Sequence, residues 1–150
     1  MPAARPASLA LAALALLVAL AAGLPAAASA ASPHRTRITL CGGTHRVRPR
    51  EIVLACADAN WGVGHLRWHR WGTSRAHARG IAFVNTCTPN CAAGTIVRYR
   101  VRVVARGLVR GRNGARYTRL RMVAFRRPPA HMPRSATFRV TRHGPALTTP

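Results

Sequence analysis

Two hydrophobic patterns divide the chain. From Leu9 to Ala22 apolar residues run together without a polar break, and from Thr36 onward they alternate with polar ones. The first pattern follows Arg5, ends at the helix-breaking Gly23 and Pro25, and leads into Ala28-Ser29-Ala30. That order is the signature of a secretory signal peptide over residues 1–30, cleaved after Ala30. The run is shorter than the roughly 20 residues that cross a bilayer. No cysteine follows it until Cys41, so neither a membrane anchor nor a lipoprotein junction is expected. The reading is a secreted, extracellular product with one domain over residues 31–150.

The second pattern is that of β-strands, and no stretch holds a 3.6-residue period over three turns. Strands are expected at Thr36–Leu40, Glu51–Ala55, His65–Trp71, Arg79–Asn85, Thr95–Ala105, Arg116–Phe125 and Ala136–Val140, with turn residues between them. About seven short strands with frequent turn signals predict an all-β fold, a small antiparallel β-sandwich. The core is expected over about residues 36–140, with a flexible C-terminal tail. The spacing from Cys56 to Trp68 resembles that of the first cysteine and core tryptophan of immunoglobulin domains. The resemblance concerns geometry alone, because the next cysteine comes two strands too early.

Asn113-Gly114 is a strong hairpin signal, since a type I′ turn needs positive φ at both central residues. Centring the turn there pairs Val103 with Ala124, Ala105 with Met122 and Arg106 with Arg121. One face of that hairpin is then apolar. The other carries Arg98, Arg100, Arg102, Arg106, Arg110 and Arg112 against Tyr117, Arg119, Arg121, Val123 and Phe125.

Charge now changes the picture. The chain carries 24 basic residues, all of them arginine, against only Glu51 and Asp58, for a formal charge of +22. Removing the leader takes away only Arg5, so the charge belongs to the exported domain. Lysine and glutamine are both absent while Ala, Arg, Gly and Pro abound, which is the mark a GC-rich genome leaves on codon usage. Part of the arginine excess therefore has no functional meaning. The remainder forms a one-sided basic face, with Arg98, Arg100, Arg102, Arg119 and Arg121 able to grip anions in bidentate fashion. Candidate partners are anionic cell-wall polymers, lipid headgroups or extracellular nucleic acid, bound without sequence reading because no recognition helix is expected.

Cys41, Cys56, Cys87 and Cys91 make an even set in an exported chain, which predicts disulfides. A zinc site would need two closely spaced ligand pairs, and only Cys87 and Cys91 are close. If successive strands run simply up and down, Cys56 lies at the same end as Cys87 and Cys91 while Cys41 lies at the other. The pairing expected is Cys56 with Cys87 or Cys91. A bond to Cys41 would require a bent first strand or a long loop.

The most distinctive block runs through Leu54-Ala-Cys-Ala-Asp-Ala-Asn60, then Trp68-His-Arg-Trp71-Gly72, then Cys87-Thr-Pro-Asn-Cys91-Ala-Ala-Gly94. With Tyr99 and Tyr117 it resembles a family of small secreted actinobacterial proteins of no established function, over about residues 48–125. The resemblance implies a small exported β domain and carries over no catalytic or binding residues. This chain departs from that pattern in its arginines, which stand at strand positions where neutral residues are usual.

Catalytic chemistry has little to rest on. Asp58 could orient a histidine with Ser74 or Ser135 as nucleophile, which makes a secreted hydrolase the alternative reading. Its setting, Cys56-Ala57-Asp58-Ala59-Asn60, is that of a turn former. His65 and His69 on one strand would stand about 13 Å apart, too far for one ion. Trp68 reads as core, and Trp61 and Trp71 less firmly so. The expectation is a non-catalytic protein with no cofactor and no metal.

Overall fold

The computed structural model describes residues 32–149. The leader read over residues 1–30 lies outside them. Nine strands form: β1 (Thr36–Thr39), β2 (His45–Arg46), β3 (Ile52–Val53), β4 (Trp61–His69), β5 (Arg75–Asn85), β6 (Ile96–Gly111), β7 (Gly114–Ala124), β8 (Ser135–Thr141) and β9 (Gly144–Thr149). Every expected strand is there, and β2 and β9 are additions. The segment assigned to a flexible tail instead pairs with β8, Val140 opposite Pro145 and Phe138 opposite Leu147.

The fold is all-β and disulfide-bonded, with a different arrangement from two stacked sheets. All nine strands join one sheet in the order β2-β1-β7-β6-β5-β4-β3, with β8 also on β7 and β9 beyond it. Neighbours are antiparallel except β1, which lies parallel to the start of β7 through Thr36–Ala115 and Arg37–Arg116. One edge of β7 is thus shared, β1 taking its first residues and β8 taking Arg119 to Val123. The sheet curls into a half-barrel around its own core. Along β5 the inward positions are Ala76, Ala78, Gly80 and Ala82, small enough to let the sheet bend there. The bend brings Trp61 of β4 edge-on to Phe138 of β8, ring centres 5.4 Å apart.

The core is the inner face: Ile38, Ile52, Val63, Leu66, Val101, Val103, Leu120, Met122 and Phe138 are all buried. Burying each such side chain contributes about 1.5–3 kcal/mol. Trp71 is the most deeply placed tryptophan, its Nε1 donating to the Thr36 carbonyl at 3.0 Å. It stands between Trp68 and Tyr117, at 4.7 and 5.0 Å.

The disulfides are Cys41–Cys56 and Cys87–Cys91, which corrects the pairing of Cys56 with Cys87 or Cys91. The up-and-down order fails at the first strand. β1 turns back on itself into β2, Ile38 opposite Arg46, and Cys41 sits in the short helical turn between them. That turn lies beside the chain leaving β3, where Cys56 is. Closing its 15-residue loop contributes about 3 kcal/mol in the chain-entropy model.

The β6–β7 hairpin is shifted by two residues from the expected register. Gly111 pairs with Gly114 across Arg112-Asn113, and Val103 meets Met122. The positive φ falls on Gly114 (111°), where a Cβ would collide with the Arg35 carbonyl of the chain entering β1. A shift of two by itself moves no residue to the other face, and Val101 to Arg106 and Arg119 to Ala124 stand on the faces expected.

Candidate functional site

Alternation places one set of β4–β8 side chains inside and the other outside, and the outer set is cationic. The register aligns it in rows. Arg75, Arg106, Arg119 and Arg139 stand directly opposite one another across β5, β6, β7 and β8. The next row reads His69, His77, Val104, Arg121, Thr137, and the third Arg67, Arg79, Arg102, Val123, Ser135. Arg100 and Arg98 continue β6 opposite Ile81 and Phe83. Rows repeat at about 6.8 Å along the strands and about 4.8 Å across them.

The five arginines singled out from sequence are all exposed on this face: Arg98, Arg100, Arg102, Arg119 and Arg121. Hairpin alternation alone missed the arginines of β4, β5 and β8. Arg67, Arg75, Arg79 and Arg139 had no single strand pattern to announce them, and only the sheet order brings them beside β6 and β7. His69 and His77 are cross-strand neighbours with rings stacked at 5.5 Å and 17°. His65, on the same strand as His69, adopts φ 55° at a register shift between Gly64 and Arg67.

The expected face was also too long. Gly107 takes φ 66° and accepts a hydrogen bond from Thr118 Oγ1 at 2.9 Å. Across that left-handed residue the alternation inverts, so Leu108 packs on the core and Tyr117 is fully buried. Tyr117, read onto the arginine face, is instead an inner residue. Its hydroxyl accepts from Gly72 N and donates to the Thr73 carbonyl, both at 2.9 Å. Arg110 and Arg112 lie beyond the inversion, near the hairpin tip.

Three open grooves cross the outer face. One, about 1100 Å³, runs beside Arg67, Arg79, Arg98, Arg100 and the exposed ring of Phe125. Phe125 carries the Arg102 guanidinium 5.8 Å from its centre, an exposed aromatic within the basic face, on the side where the alternation places it. A second, about 610 Å³, holds His69, His77, Arg75, Arg79, Arg102 and Arg106. A third, about 410 Å³, continues past Arg106 to Arg119, Arg121, Ser135 and Thr137.

Asp58 does not join a histidine through any hydrogen bond it makes here. Its Oδ1 accepts from Asn60 N at 3.1 Å and its Oδ2 from Asn60 Nδ2 at 3.0 Å. The Asn60 backbone amide, then its side chain, hold the carboxyl below the usual carboxylate range. This is turn chemistry. Burial raises the Tyr117 and Tyr99 phenols above the ordinary tyrosine value.

Apart from His69 on the outer face, several residues of the distinctive cassette make contacts that hold the fold. Trp68 Nε1 donates to the Pro49 carbonyl at 2.8 Å, Trp71 and Gly72 meet Tyr117, and Asn60 O accepts from Asn85 N at 2.8 Å. Asn85 in turn holds the Cys87–Cys91 loop, accepting from Cys87 N and donating to the Cys91 carbonyl. With both cysteine pairs oxidised, no thiolate is left for a metal among the described residues. Against known family models, curated proteins and solved structures, the chain finds no match.

Proposed function

We propose that this is a secreted, non-catalytic scaffold that adheres to anionic polymers of the cell envelope or its surroundings through the outer face of its sheet. One observation carries the reading: Arg75, Arg106, Arg119 and Arg139 form a single row across four strands. Like charges placed directly opposite each other cost a sheet about 0.2–1 kcal/mol per pair. The chain's two acids, Glu51 and Asp58, stand on neither side of that row. Such repulsion is relieved when phosphates or carboxylates lie over it, and guanidinium groups suit both.

Supporting features are of two kinds. The disulfides are compatible with an oxidising, extracellular setting. No helix among the described residues is long and apolar enough to cross a membrane. The cassette's tryptophans, cysteines and asparagines act in the core and loops, which leaves the outer face as the part free to carry a specific role. On this reading the family likeness concerns the scaffold, and adhesion is this chain's own addition.

The test is salt dependence. Binding to isolated anionic wall polymer should be firm at low salt and fall steeply toward physiological salt, because each engaged arginine releases a counterion. Salt-independent binding, or none at low salt, would overturn the reading.

A further inference from the structure

The outer face has a low centre. Val104 is the buried small apolar side chain at its middle, with Val123, half-buried, at one diagonal. Arg102 and Arg106 flank it along β6, His77 and Arg121 face it from either side, and three of the four diagonal positions are Arg75, Arg79 and Arg119. Direct neighbours have Cβ atoms about 4.5–5.5 Å away and diagonal ones about 7–8 Å. A short side chain ringed by long ones makes a hollow into which guanidinium groups can lean. The two smaller grooves meet there, both lined by Val104 and Arg106, so one cationic track crosses from β4 to β8 through the hollow. Arg106 supplies a further sign, since its buried Nε finds no acceptor in the protein.

We infer that the hollow over Val104 binds one phosphate group of a linear phosphate polymer lying along this track, and that protonation of His77 tightens the hold. The inference rests on the adhesion reading and names its anchor point. Phosphate suits the hollow because three or more donors can converge on one tetrahedral group from different sides. A chain-like anion suits the track, which runs across strands and does not end at the hollow. His77 is half-buried, stacked on His69, and hemmed by Arg75, Arg79, Arg102 and Arg106 with no carboxylate among them. A phosphate beside the ring attracts an imidazolium more strongly than a neutral imidazole. Proton and phosphate therefore favour each other's binding, as linkage requires.

The experiment uses the exported chain with tripolyphosphate as the short probe and long-chain polyphosphate as the long one, at constant low salt. Tripolyphosphate should bind with one-to-one stoichiometry, and between roughly pH 8 and pH 5.5 its affinity should rise about tenfold relative to that of His77→Asn, in which the probe's own protonation is the same, the weight of one charge-assisted hydrogen bond. Val104→Phe, which fills the hollow and removes no charge, should lower tripolyphosphate affinity about tenfold or more. His77→Asn should bind as before at the higher pH and lack that gain at the lower. If Val104→Phe does not fold, the His77→Asn pH profile decides alone. Equal affinity in the filled variant, or the same pH response in His77→Asn as in the parent, overturns the inference. Binding to the long polymer but not to tripolyphosphate also overturns it and leaves the adhesion reading standing, whereas loss of both sinks the two together. Preference for anionic lipid vesicles over both phosphate probes would reject the polymer as occupant.

Discussion

The two faces of one sheet are built by the same strands and obey opposite rules. On the inner face of β6 and β7, Val101, Val103, Ala105, Leu120 and Met122 are packed out of water, and each residue's size is constrained by its neighbours. On the outer face Arg102, Arg119 and Arg121 stand exposed to water, with Arg106 half-buried among them. The inner face contributes stability, and the outer face works against it through like-charge contacts. A feature that costs stability calls for a use, and the proposed use is anion binding.

The sharpest way to break this contrast is on the inner side. Phe138 is buried and supports Trp61 across the curl of the sheet. Phe138→Ala should cost about 3–5 kcal/mol by lost burial and the cavity left behind. Urea denaturation would measure it, and a cost below that of a surface change would mean that the curl does not depend on this contact.

Tyr117 sharpens the contrast, because alternation put it on the wrong face. Its hydroxyl satisfies both Gly72 N and the Thr73 carbonyl, so Tyr117→Phe leaves a buried donor and acceptor without a partner. The expected cost is about 1–3 kcal/mol. The pH dependence has a definite sign. Burial raises the phenol's pKa in the folded state, so its contribution is fully present below the unfolded value near 10 and is lost as pH rises through the folded one. Stability should therefore decline at alkaline pH, with tyrosinate absorbance appearing as the protein unfolds. A titration in which tyrosinate forms freely in the folded protein would place Tyr117 at the surface.

The contrast also explains what could be read from the chain. Strand positions, the all-β class and the exposure of Arg98, Arg100, Arg102, Arg119 and Arg121 follow from period-two alternation, which is local. The Cys41–Cys56 bond and the single curled sheet depend on β1 lying parallel to β7, a long-range pairing with no local signature. The hairpin signal puts the turn on Asn113-Gly114, yet Gly114 stands with its positive φ just after the two-residue loop, where a Cβ would meet the Arg35 carbonyl. The inversion at Gly107 had one available sign, a glycine inside an otherwise regular strand. The four-arginine row was illegible for a different reason: it draws on β5 and β8, and only the strand order makes them neighbours of β6 and β7.

Arg119 gives the smallest effect and tests both faces at once. It stands between Arg106 and Arg139, so Arg119→Thr removes two like-charge contacts while putting a good strand former in its place. At low salt the variant should be more stable than the parent by about 0.2–1 kcal/mol. The gain should shrink as salt screens the parent's repulsion, with the two melting temperatures converging. Polyanion binding should weaken in the same variant, and the slope of log affinity against log salt should drop by about one. A gain in stability without loss of binding would separate the repulsion from the adhesion. Loss of both would mean that Arg119 packs against its neighbours through its aliphatic stem, as arginines on crowded surfaces do. The stabilised but weaker binder is the outcome that marks this face as selected for its charge.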